Sequence, residues 1–149
     1  MANIIYTNFF GEIAKGLLDF TATDNRCLLE RNTSSYTPNK DHDFLDSFSG
    51  GGGVEISVAS YARQPLASEA VNIDDANDRV ELDFDNLAFG NLETGQTVKA
   101  LIFYIHTGVD STSRLIAYVD TATGLPATLG GGAFNVTIDA EGFIQLSQP

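Results

Sequence analysis

Val98-Lys99-Ala100-Leu101-Ile102-Phe103-Tyr104-Ile105-His106 is the longest apolar run in the chain, and both of its alternating faces are apolar. A strand with one wet face alternates polar and apolar residues, so this run predicts a central strand buried on both sides. After the polar loop 107–113, Arg114-Leu115-Ile116-Ala117-Tyr118-Val119-Asp120 repeats the pattern, and the two runs are expected to pair as an antiparallel hairpin. Phe134-Asn135-Val136-Thr137-Ile138-Asp139 alternates, which turns Phe134, Val136 and Ile138 inward. Asp139-Ala140-Glu141-Gly142 reads as a turn with glycine in a left-handed position, and Phe143-Ile144-Gln145-Leu146 as the returning partner strand. Residues 98–146 are therefore expected to form central hairpins around which the rest packs.

Residues 1–20 show a short helical pattern, since Tyr6, Phe10, Ile13, Ala14 and Leu17 recur at three- and four-residue spacing with Glu12 and Lys15 opposite. Gly11 and Gly16 cost such a helix about 1 kcal/mol each in its interior, so it must lean on tertiary or intersubunit contacts. Leu18–Thr23 and Arg26–Arg31 read as a short hairpin about Asp24-Asn25. The stretch 32–53 reads as loop, with a turn at Thr37-Pro38-Asn39, apolar pins at Phe44, Leu45 and Phe48, and a flexible run Ser49-Gly50-Gly51-Gly52-Gly53. A strand is expected at Val54–Ala62, stopped by Gln64-Pro65, then strands at Ala70–Ile73 and Arg79–Asp85 with Val80, Leu82 and Phe84 facing the core. Many short strands and a single early helix predict an all-β fold, an antiparallel β-sandwich or small barrel, in one domain over residues 1–149.

At 149 residues and 16.0 kDa the chain can bury roughly two-thirds of its unfolded surface. Twenty acids against 8 bases give a net charge of -12, which argues against nucleic acid or an anionic membrane as partner. The lone Cys27, between Arg26 and Leu28, excludes an intramolecular disulfide and reads as a small core residue. No run approaches the roughly twenty apolar residues of a membrane span, and the N-terminus shows no basic region before an apolar signal core; a soluble protein made in the cytosol is expected.

The acids Asp74, Asp75, Asp78, Glu81, Asp83 and Asp85 crowd a dozen residues, open to three readings: a calcium site, a face matched to a basic partner, or a solvated face that discourages edge-to-edge association. The segment Asp74–Asp78 lacks the glycine and distal glutamate of a helix-loop-helix calcium motif. His42 and His106 lack a second ligand at zinc spacing, no Gly-x-Ser-x-Gly elbow occurs, and the runs Gly50–Gly53 and Gly130–Gly132 lack a phosphate loop's lysine. No catalytic residue, metal ligand or cofactor is predicted.

Met1-Ala2-Asn3 before the helix, the turn Tyr36-Thr37-Pro38-Asn39, and above all Leu115-Ile116-Ala117-Tyr118-Val119-Asp120-Thr121-Ala122-Thr123-Gly124-Leu125-Pro126 followed by Gly130-Gly131-Gly132 resemble small virion structural proteins of tailed bacteriophages and prophages. The likeness runs in order along nearly the whole chain and departs most over 42–64. It implies a non-enzymatic protein that decorates or cements the exterior of the head, bound to the major capsid protein, as a homo-oligomer, commonly a trimer of β-rich subunits. Competing classes are a tail or head-fibre component of host adsorption and a wall- or polysaccharide-degrading virion enzyme. Ile4, Ile5, Tyr6, Phe9 and Phe10 put more apolar surface on a weak helix than one small domain need cover, which makes them the candidate interface; the alternative is packing of that helix across the open end of the sandwich.

Overall fold

The computed structural model describes residues 3–147. In chain order its elements are β1 (Ile4–Ile5), α1 (Thr7–Ala14), a 3-10 turn (Phe20–Ala22), β2 (Asn25–Arg31), α2 (Asp46–Gly50), β3 (Gln64–Pro65), β4 (Ala70–Asp74), β5 (Arg79–Asp83), β6 (Leu87–Asn91), β7 (Thr97–Ile105), β8 (Leu115–Val119), β9 (Ala127–Thr128), β10 (Ala133–Val136) and β11 (Ile144–Ser147). The fold is all-β and sandwich-like. A principal antiparallel sheet runs β1-β8-β7-β2-β3, with β9 also on β7, and two small sheets, β10-β6 and β11-β5-β4, accompany it. Met1 and Ala2, which open the phage-like motif, lie outside the described residues.

The apolar run at 98–106 forms β7 at the centre, with β8 as its hairpin partner (Ile102 opposite Tyr118) and β2 on the other side (Leu28 opposite Ile102). Both faces of β7 are covered, as apolar residues on both of its alternating faces require. One face sends Leu101, Phe103 and Ile105 into a core shared with Cys27, Leu29, Phe9, Leu82 and Phe89. The other sends Ala100, Ile102 and Tyr104 into a core with Leu28, Tyr6, Tyr36, Leu45, Phe48 and Tyr118. Each fully buried large side chain contributes on the order of 1.5–3 kcal/mol of transfer free energy, which favours this doubly covered arrangement over a one-sided sheet.

The two arms that flank the turn 139–142 separate instead of pairing. Gly142 does adopt φ +88 and its N–H bonds the Asp139 carbonyl at 3.0 Å. Yet β10 pairs with β6 and β11 with β5. Aromatic packing accounts for the split: Phe143 wedges its ring 4.4 Å from that of Phe103 and 4.9 Å from that of Phe84, which draws β11 onto β5. Strand β6, absent from the sequence reading, supplies the partner for β10.

Three other segments differ from expectation for local reasons. The first arm of the predicted hairpin at 18–23 is a 3-10 turn, because the Asp19 carboxylate accepts the Thr21 N–H at 3.0 Å and hydroxyl at 2.7 Å. Residues 54–62 form no strand: the Ser57 and Ser60 amides donate to the side chains of Gln96 and Glu93, and a single bridge joins Glu55 to Glu30. The glycine run, expected to be flexible, closes the second helix α2, with Gly52 at φ +82 and the Gly53 N–H on the Phe48 carbonyl at 2.8 Å. A side chain at Gly53 would overlap the Phe48 ring.

Helix α1 ends in the same kind of motif, with Gly16 at φ +69 and the Leu17 N–H on the Glu12 carbonyl at 3.0 Å. Leu17 thereby leaves the helical phase and is exposed, while Tyr6 and Phe9 take the buried face.

Candidate functional site

Pairing of β1 on β8 brings the predicted interface residues against the principal sheet: Ile4 lies opposite Tyr118, Ile5 opposite Ala117, and the Tyr6 N–H bonds the Ile116 carbonyl at 3.0 Å. Tyr6 and Phe9 are fully buried inside this chain, the latter edge-on to Phe20. Ile4, Ile5 and Phe10 are half-buried and are the part of the set that another molecule can reach.

Beneath β1 lies a polar network that the sequence reading missed. Glu30 is fully buried on β2; its Oε2 accepts the Tyr118 hydroxyl at 2.8 Å and its Oε1 accepts Lys99 Nζ at 3.1 Å. A buried carboxylate needs such partners, since an unpaired one would cost several kcal/mol, on the order of the penalty for a broken buried ion pair. Alongside it the Tyr6 and Tyr36 hydroxyls meet at 3.0 Å, and Tyr36 reaches His42 Nδ1 at 2.9 Å. Burial pushes the phenols of Tyr6, Tyr36 and Tyr118 upward, with nearby Glu30 adding to the effect. The available signal was Glu30 itself, an acid two residues after Leu28 and hence on the same covered strand face.

A second network sits at the β3 edge. Arg63 grips Glu55 (Nη2 to Oε2, 2.9 Å) and Asp110 (Nη1 to Oδ1, 3.0 Å), and its guanidinium lies 5.5 Å from the Tyr104 ring centroid. Tyr61 donates to Glu55 at 2.6 Å and accepts the Leu29 N–H at 3.0 Å. Cys27 is buried, with its thiol pushed well up by desolvation, a setting that disfavours the thiolate nucleophile. His106 follows β7, with its backbone N–H on the Asp24 carbonyl at 2.7 Å.

The acidic strand is organised by a cation. Arg79 has Asp74 at 3.0 Å, Glu81 at 2.8 Å and Glu141 at 3.0 Å. Its Nε–H is aimed at Asp74, so the contact to Glu81 is charge attraction without a directed bond. Glu81 is 8% exposed, which corrects the reading of this strand as a wholly solvated acidic face. Asn77 first, and then Arg79, hold the Asp74 carboxyl below the usual range. Among the described residues no cluster of histidine, cysteine and acid side chains is placed to hold a metal ion, and no helix is long and apolar enough to cross a membrane.

A groove of about 480 Å³ lies between the β8–β9 loop and β10. Thr123, Gly124 and Leu125 of the distinctive 115–126 stretch form one wall, Phe134 to Thr137 the other, and Leu101 the floor. Among the described residues β10 pairs with β6 alone. A scan against protein-family models and a search of curated proteins both found no match.

Proposed function

We propose that this chain is a non-enzymatic structural protein of a tailed-phage virion, one that decorates the outside of the head and stabilises it by binding the major capsid protein. The observation that carries the reading is the way its buried and half-buried ionisable groups are used. Glu30 is held by Lys99 and Tyr118, and Glu55 by Arg63 and Tyr61, so these charges lock strands and loops together and do not converge on a cavity. What the molecule offers outward is shape: a groove walled by the 123–125 loop, open strand edges, and the half-buried Ile4, Ile5 and Phe10. The resemblance of 115–126 and 130–132 to phage virion proteins supports the same class. Assembly as a trimer suits such a role, because several modest contacts on one rigid particle add through effective concentration.

The test joins two measurements. Sedimentation gives the mass of the purified protein, and mixing with undecorated capsids gives binding and the heat resistance of the loaded shell. Saturable binding with a raised disruption temperature is expected. A monomer that ignores capsids overturns the proposal, and retention on host cells would move it to adsorption.

A further inference from the structure

The sheet β11-β5-β4 has an apolar face wider than the core that covers it. Register places Val71, Leu82 and Ile144 in one row and Ile73, Val80 and Leu146 in the next. Leu82 and Ile144 are buried, whereas Val71 is 48% and Ile73 76% exposed. Among the described residues β4 pairs with β5 alone and Val71, Asn72 and Ile73 are all exposed, so the outer edge of β4 has no strand partner there. An apolar groove of about 300 Å³ runs between this face and the segment from Gly16 to Phe20. It shares Val80 and Leu146 with a hollow of about 210 Å³ that carries Asp74, Asp75 and Asp78. Arg79 spends its charge on Asp74, Glu81 and Glu141, which leaves Asp75 and Asp78 with no cation partner among the described residues.

We propose that this face docks an extended segment of a partner protein, which adds to the edge of β4, lays apolar side chains on Val71 and Ile73, and sets lysine or arginine over Asp75 and Asp78. Backbone pairing along an open edge supplies affinity, and alternate side chains supply the choice of partner. Charge decides the occupant. A second copy of a chain with 20 acids and 8 bases would bring like charge to an acidic rim, whereas a basic segment neutralises it and is steered toward it. The inference rests on the shell-binding reading in one respect: it names the surface through which a capsid segment is held.

The probe is a blocked peptide of alternating valine and lysine, with a glutamate-for-lysine peptide as control, added to isotope-labelled protein and followed by amide chemical shifts. Shifts centred on 70–74, absent with the control and weakened by salt, are expected. Asp75→Asn with Asp78→Asn is expected to weaken binding roughly threefold to tenfold, the scale of two exposed ion pairs. Asparagine tolerates the φ of 51° at Asp78, so this variant keeps its turn. Ile73→Asn, at an exposed position, is expected to abolish the shifts with melting unchanged. Equal binding of both peptides, or shifts elsewhere, overturns the proposal, as does an oligomer of the wild type that Ile73→Asn dissolves. Capsid binding that Ile73→Asn leaves intact overturns this surface alone. Wild type that takes the peptide at β4 yet ignores capsids overturns the shell reading alone.

Discussion

Tyr118 shows how much one hydroxyl can carry in a doubly covered sheet. It is a main donor to a carboxylate with no water contact, so Tyr118→Phe leaves Glu30 Oε2 short of its partner while changing the packing little. The expected loss is about 1–3 kcal/mol, read as a lower midpoint in denaturant at an unchanged slope. Gly53 acts through space and not through charge: the Phe48 ring lies where a methyl would go. Gly53→Ala is expected to cost about 1–3 kcal/mol by overpacking, whereas Gly50→Ala, with open space around it, is expected to be close to neutral in the same denaturant series. Equal costs at the two positions would contradict the close approach.

Among the elements, β7 is where the two cores meet. Ile102→Asp places a charge at a fully buried position between Leu28 and Tyr118, where the neighbouring cation Lys99 is already held by Glu30. Loss of the folded state, measured by near-ultraviolet circular dichroism, is expected. This strand was legible because the six unbroken apolar residues from Ala100 to Ile105 admit little else. The hairpin β7–β8, the strand at 79–83 and the inward Phe134, Val136 and Ile138 were legible for the same reason: alternation reports which side is covered. Alternation does not report the partner, and so β10 and β11 were read as a pair although Phe143 sends them to different sheets. Segments ruled by side chain to backbone bonds, at Asp19, Ser57 and Ser60, carried little signal, since their apolar residues mimic short strands. Of the candidate interface, the apolar weight of Ile4 to Phe10 was visible, but not that Tyr6 and Phe9 face inward. The open face at Val71 and Ile73 was hidden within an ordinary strand pattern.

For the whole molecule, acids and phenols set a window of stability. The carboxyls of Asp24, Asp74 and Glu93 are held below the usual range, by Arg26, by Asn77 with Arg79, and by Ser60 respectively. A depressed carboxyl stabilises the fold above its unfolded pKa of about 4 and loses that contribution as pH falls through the folded value. All five tyrosines are shifted the other way by burial. The unfolded phenol releases its proton near about pH 10 while the folded one keeps it, so their contribution is complete below that pH and drains away above it. Melting temperature against pH is expected to show a plateau with a fall on each side. On the alkaline side phenolate absorbance is expected to rise with unfolding; phenolate in protein that still shows its native circular dichroism would contradict the buried network.

The pairing of Leu28 with Ile102 also sets a schedule. β2 ends at Arg31 and β7 begins at Thr97, so the central ladder closes only after the residues between them have been made. Ordering so long an intervening loop before the pairing rewards it makes folding slow, in the range of milliseconds to seconds and not microseconds. During synthesis β2 waits with its β7 edge unpaired, while its other edge meets β3 and Glu55. Chains cut before Thr97 are expected to aggregate or to be held by chaperones.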